Sequence, residues 1–356
     1  MKGGKMNRAS DSVEKGLLFA AATLGVALLI VAFASFPLGA YSFFSNQING
    51  TSPDATFRQL YIYVVGVQLT FPVPAGLVSL GGLFFLLWAT YIALFVFLLQ
   101  GPWYDLLKAL RSIRSGGTLA VYSNGALTWS FAFPVSILMA VMIDSLLTSA
   151  GVPIGTLPSV DARFVFWQTT YAPIVEEVGF RVTIVGVVAV LMALSAGGRR
   201  RSLLALWHPS RVLGSLGVES WKQPGIYAAI FGSAAIFGVA HVLGGWEIGK
   251  FFSSFAVGLA FGLLYYTHGL PLAVMMHWGF DYFGYSLYYF DQVRGLPPLT
   301  SEFTSLYSLQ YAEFYSDVLV YMIGVALFVL ALYVLAKAAG ARRRTPMAAA
   351  AAPQAA

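Results

Sequence analysis

The sequence predicts an all-α, polytopic integral membrane helix bundle of about eight transmembrane helices, and three observations carry that expectation. Charged residues make up 10% of the 356 and hydrophobic ones 58%, with a mean hydropathy of +0.74. An ordinary soluble domain has about a quarter charged residues, so this chain has too few to cover a water-facing surface. Apolar runs long enough to cross a hydrocarbon core of about 30 Å, which takes roughly 20 helical residues, recur along its whole length. Lys and Arg fall in short clusters beside those runs, as topology signals and lipid-headgroup contacts do. The net charge of +6 is therefore assigned to the membrane, and no nucleic-acid partner is expected.

Residues 1–15 are polar, with Lys2, Lys5, Arg8 and Lys15, and read as a cytoplasmic N-terminal segment. The apolar stretch from Gly16 to about Leu38 outruns a signal-peptide core of roughly 7 to 15 residues and reads as a first span. Segment 40–78 is then external, with an aromatic stretch from Phe57 to Tyr63 read as interfacial, a re-entrant piece being the alternative. Further spans are expected at about 79–100, 124–149, 163–195, 224–243, 248–267, 270–290 and 317–337, the fourth as one long tilted helix or two shorter pieces. Basic residues lie in the N-terminal segment, in a loop with Lys108, Arg111 and Arg114, in a loop with Arg199, Arg200, Arg201, Arg211 and Lys222, and in a tail with Arg342, Arg343 and Arg344. With eight spans all four clusters share one face, which puts both termini in the cytoplasm of a cell-membrane protein. Residues 16–338 read as a single transmembrane helical domain. Residues 339–356, largely Ala with Pro346 and Pro353, are expected to form a disordered cytoplasmic tail. Cysteine is absent, which excludes disulfides, thiolate metal sites and a cysteine nucleophile.

Ionisable groups inside spans cost roughly 2.5–3.5 kcal/mol each, so they should be few and should have a partner or a task. Asp144, Arg163 and Lys250 lie close enough to span ends to reach the interface. The others are Glu176, Glu177 and Arg181 in the fourth span, His241 in the fifth, and His277 and Asp281 in the seventh. On a helix, positions four apart share a face while neighbours point about 100° apart. Glu177 is thus expected to pair with Arg181 as structural support, leaving Glu176 to face something else, and Asp281 shares a face with His277 and can orient it. A carboxylate beside a histidine in a partly desolvated cavity can activate water as a general base, and a second polar cluster can stabilise an oxyanion. Span ends taken at face value put His241 near the outer surface and His277 about 10 Å from the inner one. Tilted, broken or offset helices around a water-filled cavity are therefore expected there. His208, in a basic loop, and His268, in a turn before Pro271, are read as non-catalytic. Gly238, Gly244, Gly245, Gly258 and Gly262 are expected to permit close helix packing.

The motifs Glu176-Glu177-x-x-x-Arg181, Phe237-x-x-x-His241 and His277-x-x-x-Asp281, in this order on separate apolar segments, resemble those of the CPBP family of CAAX-type intramembrane proteases. The stretch from Phe255 to Asp281 also looks like that family, and the resemblance covers about residues 163–285, which implies a protease core at about 163–290. The resemblance implies that Glu176 activates water with help from His241, that His277 and Asp281 form the oxyanion-stabilising side, and that Glu177 with Arg181 holds the site in shape. Prenyl-protein members usually carry Asn at the last position, and an ionised carboxylate there would repel an oxyanion. Asp281 is accordingly expected to orient His277 or to act in its neutral form.

The function expected is an intramembrane endopeptidase hydrolysing a peptide bond of a membrane-associated or lipidated protein or peptide through a glutamate-activated water. Two histidines and a carboxylate could hold zinc, but no His-Glu-x-x-His occurs, so a reaction without metal or other cofactor is preferred. The expected partners are the bilayer and a membrane-anchored substrate. A non-proteolytic scaffold or immunity-type protein of the same family, or a proton-coupled transporter, are the alternatives.

Overall fold

In a hydrocarbon solvent the backbone must satisfy its own hydrogen bonds, so apolar runs become helices. The computed structural model follows that rule; it describes residues 3–101, 103, 105–115, 118–155, 161–218, 223–297 and 310–330. Helix α1 runs Gly3–Phe44, so the polar segment expected before residue 16 and the first span are one continuous helix over the described residues. Strands β1 (Gln59–Val64) and β2 (Val67–Pro72) follow as an antiparallel hairpin, then α2 (Leu80–Gln100). The basic loop around Lys108 contains an amphipathic helix, α3 (Leu106–Arg114), which buries Ala109 and Ile113. Next come α4 (Gly125–Ser149) and the long α5 (Ala162–Ser195), whose middle, Glu177–Gly186, is π-helical. The fourth span is thus one helix. The second basic loop holds the short α6 (Pro209–Ser215). Helices α7 (Pro224–Leu243) and α8 (Lys250–His268) form a hairpin. Helix α9, residues 270–293, is interrupted by a π segment at Gly279–Phe283, and α10 covers Ala312–Leu330.

The chain is a multi-pass membrane protein. Among the described residues six helices, α1 from Lys15, α2, α4, α5, α7 and α10, are long and apolar enough to cross a bilayer. Helices α8 and α9 stand where the sixth and seventh spans are expected but are not among the six; Ser253, Ser254, His277 and Asp281 interrupt their apolar sequence. Helix α10 starts five residues before the expected eighth span, and the end of that span, like the tail at 339–356, lies outside the described residues.

Polar residues at the edges of apolar runs set the helix starts. The side chains of Ser79, Asn124 and Asp161 accept hydrogen bonds from the third residue onward, Gly82, Leu127 and Phe164, as N-caps do. Asp161 also accepts from the Thr51 amide and hydroxyl. Partial burial works to raise its pKa, but these bonds and the nearby Arg163 outweigh it, so the carboxyl sits below the usual range. Arg163 does not reach out to the interface. It is buried and donates to the carbonyls of Phe43, Ser45, Ile48 and Thr51 at 2.7–3.0 Å, tying the end of α1 to the start of α5.

The core is aromatic. Phe43 stacks on Phe84 with centroids 3.7 Å apart and Phe36 on Trp278 at 5.0 Å. Several ring donors find backbone acceptors in this apolar interior: Trp129 Nε1 donates to Met275 O at 2.8 Å, Tyr91 Oη to Thr170 O at 2.7 Å and Trp88 Nε1 to Phe36 O at 2.8 Å, while the buried Nε1 of Trp167 and Trp278 find none among the described residues. Three of the five glycines lie at close contacts. A Cβ at Gly258 would come 3.2 Å from the Ala234 backbone, one at Gly262 2.9 Å from Ile230, and one at Gly238 2.8 Å from Phe251. Gly244 and Gly245 instead end α7, Gly245 at φ +105°.

One two-stranded hairpin is set into the all-α bundle. Its two-residue turn, Val65-Gly66, has φ of 51° and 77°, the paired positive values of a tight hairpin turn. The turn is held against the π segment of α5: Val65 N donates to Thr183 Oγ1 at 2.8 Å and Gly66 N to Gly179 O at 3.3 Å. Gly179 lies 17 residues beyond Ala162, about 26 Å along the helix at 1.5 Å per residue. The aromatic stretch read as interfacial is a strand whose turn meets the middle of α5.

Candidate active site

Pro173 lies inside α5, where its ring removes one backbone donor and disturbs the α ladder. Four residues later the helix widens into the π segment, a feature often found at functional positions. Glu176 and Glu177 straddle this junction. Glu177 is fully buried and pairs with Arg181 NH1 at 3.2 Å. The guanidinium also donates to Gly258 O at 3.4 Å and lies over the rings of Phe237 and Phe261 at 4.3 and 5.3 Å. Arg181 thus ties α5 to α7 and α8 through charge and ring faces together. Glu176 points away from this pair and lines a cavity of about 350 Å³ that also exposes His241, His277 and Asp281.

His277 lies in the last turn of the first regular part of α9, which ends at Trp278 just before the π segment. Its Nδ1 is 3.0 Å from Glu177 Oε1, and its Nε2 faces Asp281 Oδ2 at 3.4 Å and Glu176 Oε2 at 3.8 Å. A carboxylate only accepts, so Nδ1 carries the proton toward Glu177, and Nε2 is presented to the cavity. Glu177 therefore orients His277 as well as pairing with Arg181, a contact between different helices that spacing along one helix could not reveal. Asp281 touches the opposite nitrogen, on the cavity side. The backbone that carries His277 is fixed from behind by the Trp129–Met275 bond, and that of α5 by the Tyr91–Thr170 bond. The first spans, which no motif explains, are the support of the site.

His241 occupies the last turn of α7, its Nδ1 2.9 Å from Phe237 O; as that carbonyl accepts, Nε2 is left as the free ring nitrogen. The ring of Phe237 packs edge-on to both His241 and His277, at 4.6 and 5.7 Å, so one side chain bridges the imidazoles that sequence-derived span ends set at different depths. Lys250, instead of reaching the interface, lines the cavity with its ammonium 4.7 Å from the Trp246 ring. Ser253 and Ser254 line it too.

Two further residues come from the hairpin. Tyr61 lines the main cavity, and Tyr63 lines an adjoining one of about 160 Å³ with Glu176, Phe180, Ala240, His241 and Trp246. The signal in the sequence was the run of Tyr, Ile and Val ending at Gly66, rich in strand-forming residues; because Tyr counts as apolar, its period of two was hidden. His208 and His268 lie away from the cavity, in contact with Trp103.

Among the described residues, no group of three His, Asp or Glu side chains is placed to hold a metal ion. The arrangement offers a carboxylate, Glu176, facing a water-sized space; two imidazole nitrogens, on His241 and His277, opening on that space; and a buried pair, Glu177 and Arg181, behind them. These are the parts needed to move a proton from water and to donate a hydrogen bond to an oxygen that becomes negative.

Residues 158–283 match the family model described as type II CAAX prenyl endopeptidase Rce1-like. The match contains all seven residues named in the motifs. No curated protein and no solved structure matches the chain.

Proposed function

We propose, on the match of residues 158–283 to the family model described as type II CAAX prenyl endopeptidase Rce1-like, that the chain is an intramembrane endopeptidase that hydrolyses a peptide bond with a glutamate-activated water. The observation that carries the reading is the convergence of Glu176, His241, His277 and Asp281 on one cavity of about 350 Å³ inside a membrane bundle. The substrate is a membrane-anchored or lipidated chain, the prenylated C-terminus named in the family description being the first class to try.

In this reading Glu176 takes a proton from water as the oxygen attacks the scissile carbonyl, and later returns it to the leaving amine. His241 orients the water through its free Nε2. As the imidazolium, with its Nδ1–H held by Glu177, His277 donates its Nε2–H to the developing oxyanion. Asp281, 3.4 Å from that same nitrogen, keeps the imidazole aimed at the cavity. Arg181 offsets the charge of Glu177, which would otherwise be stranded in a dry interior. Both termini are assigned to the cytoplasm on the basic clusters.

Glu176→Gln removes the base and nearly preserves shape. Loss of general-base catalysis lowers a rate by about 10²–10⁴-fold, so new peptide termini that accumulate in membranes carrying the wild-type protein should be missing with the variant. Equal termini in both, at equal protein levels, would end the glutamate mechanism.

A further inference from the structure

The hairpin, whose β1 lines the site, leaves the outer edge of β2 unpaired. In an antiparallel pair closed by a two-residue turn, the residues flanking the turn exchange hydrogen bonds and every second pair does so thereafter. Val64–Val67 flanks the turn, so Ile62–Leu69 and Leu60–Phe71 are the bonded pairs. The register continues outward, with Val73 N donating to Arg58 O at 2.9 Å. The backbone groups of Tyr61, Tyr63, Gln68 and Thr70 therefore point away from the hairpin. On the β1 side that edge is covered, Tyr171 Oη donating to Tyr61 O at 2.6 Å. Strand β2 is exposed at all six positions, and among the described residues the outward N–H and C=O of Gln68 and Thr70 bond nothing.

That edge lies at bilayer depth, because the turn of the hairpin is fixed to Gly179 and Thr183 in the middle of α5. An open strand edge facing lipid costs several kcal/mol per unpaired group and is tolerated only where it lines water or protein. The two faces of the hairpin differ as well. Leu60, Ile62, Val64, Val67, Leu69 and Phe71 share one face, and Tyr61, Tyr63, Gln68 and Thr70 share the other, since cross-strand pairs point the same way. The second face is the one that lines the cavities beside Glu176.

We infer that the outer edge of β2 is the substrate-docking strand: an extended peptide segment pairs with the backbone of Gln68 and Thr70, one strand beyond β1, whose Tyr61 and Tyr63 line the cavities of Glu176. The inference rests on the endopeptidase reading above and adds how the chain to be cut is held. Main-chain pairing gives affinity without demanding a sequence, and it supplies the extended backbone that attack on a carbonyl needs, since a helix keeps its carbonyls bonded. Pro72 already occupies an outward-pointing position of β2, where the missing N–H costs the hairpin nothing.

The test uses the full-length protein in phosphatidylcholine vesicles and, as probe, a farnesylated peptide ending in a CAAX sequence with a fluorophore at its N-terminus. Thr70→Pro deletes one outward donor and leaves the hairpin's own bonds in place. It should lower kcat/KM by about tenfold or more, equivalent to about 1.4 kcal/mol, through KM. Binding of the probe to Glu176→Gln, followed by anisotropy, should weaken by the same factor when Thr70→Pro is added. A second readout does not depend on folding of a variant: replacing peptide amides one at a time by esters should weaken binding at every second position, because alternate N–H groups of a strand face one neighbour. Cleavage that is unchanged by Thr70→Pro, with no alternation in the ester series, overturns the docking strand and leaves the protease reading standing. Binding that alternates and depends on Thr70, without cleavage by the wild type, supports the docking strand and overturns the protease reading. A peptide that neither binds nor is cut overturns both.

Discussion

At the scale of single residues, the ionisable groups sort by what faces them. Glu177 and Arg181 are fully buried together, and their charges are partnered by each other, by His277 and by three aromatic rings. The sequence allowed this pair to be read from helical spacing, and separated Glu176 from it for the same reason. The second duty of Glu177, at His277 Nδ1, depends on how α5 meets α9 and has no trace in either segment. His208 makes a different point. It is buried in the loop between α5 and α7, packs edge-on to Trp103 at 5.9 Å, and its pKa is pushed down to about 4 by burial, with His268 and Arg211 adding to the shift. An unfolded chain would protonate this imidazole near pH 6.5. Between those two values the unfolded state binds the extra proton, so stability is fully present above about pH 6.5 and declines as pH falls toward 4. The melting temperature of the detergent-solubilised wild type should fall between pH 7.5 and 5 by more than that of His208→Leu; equal falls would show that another group governs acid stability.

At the scale of elements, the helices were legible because a run of about 20 apolar residues bounded by Ser79, Asn124 or Asp161 has few other solutions in a bilayer. The two π segments were not. Each depends on one extra residue within a turn, a change of winding at Glu177–Gly186 and Gly279–Phe283 that hydropathy does not register. The hairpin escaped for the related reason that Tyr61 and Tyr63 give its polar face an apolar reading. These irregular elements also meet each other, since the hairpin turn rests on the π segment of α5 at Gly179, where a Cβ would come 2.9 Å from the Tyr63 backbone. Backbone cannot yield as a side-chain tip can. Gly179→Ala should therefore lift the hairpin, destabilise the protein by about 1–3 kcal/mol as overpacking does, and reduce cleavage even though every ionisable residue of the site is retained. A variant with wild-type melting and wild-type cleavage would mean that the hairpin does not need this contact.

At the scale of the whole molecule, the span count and the joining of the spans are separate problems. Hydropathy alone supports six crossing helices among the described residues, and α8 and α9, which carry polar side chains of the cavity, are not among them. A site that must hold water within a bilayer dilutes the signal by which its own helices are recognised. The joining depends on Arg163, which spacing could place only at a span end. From the first turn of α5 it donates to four carbonyls of the segment that leaves α1, including Phe43 O in the last turn of that helix, where backbone acceptors have no partner of their own. Asp161 reinforces the junction through Thr51. The same segment leads into the hairpin, so the clamp sets where β1 descends along α5 toward Glu176. Arg163→Gln cannot reach all four carbonyls. Those left buried and unbonded cost about 1–3 kcal/mol each, less where water enters, so a loss of about 3 kcal/mol in unfolding free energy is expected. Arg163→Lys, which keeps the charge but lacks the planar fork, should recover less than half of it. Because the hairpin hangs from this junction, cleavage by Arg163→Gln should fall through KM more than through kcat. A variant that unfolds as the wild type does would show that α1 and α5 are held together by the aromatic core alone.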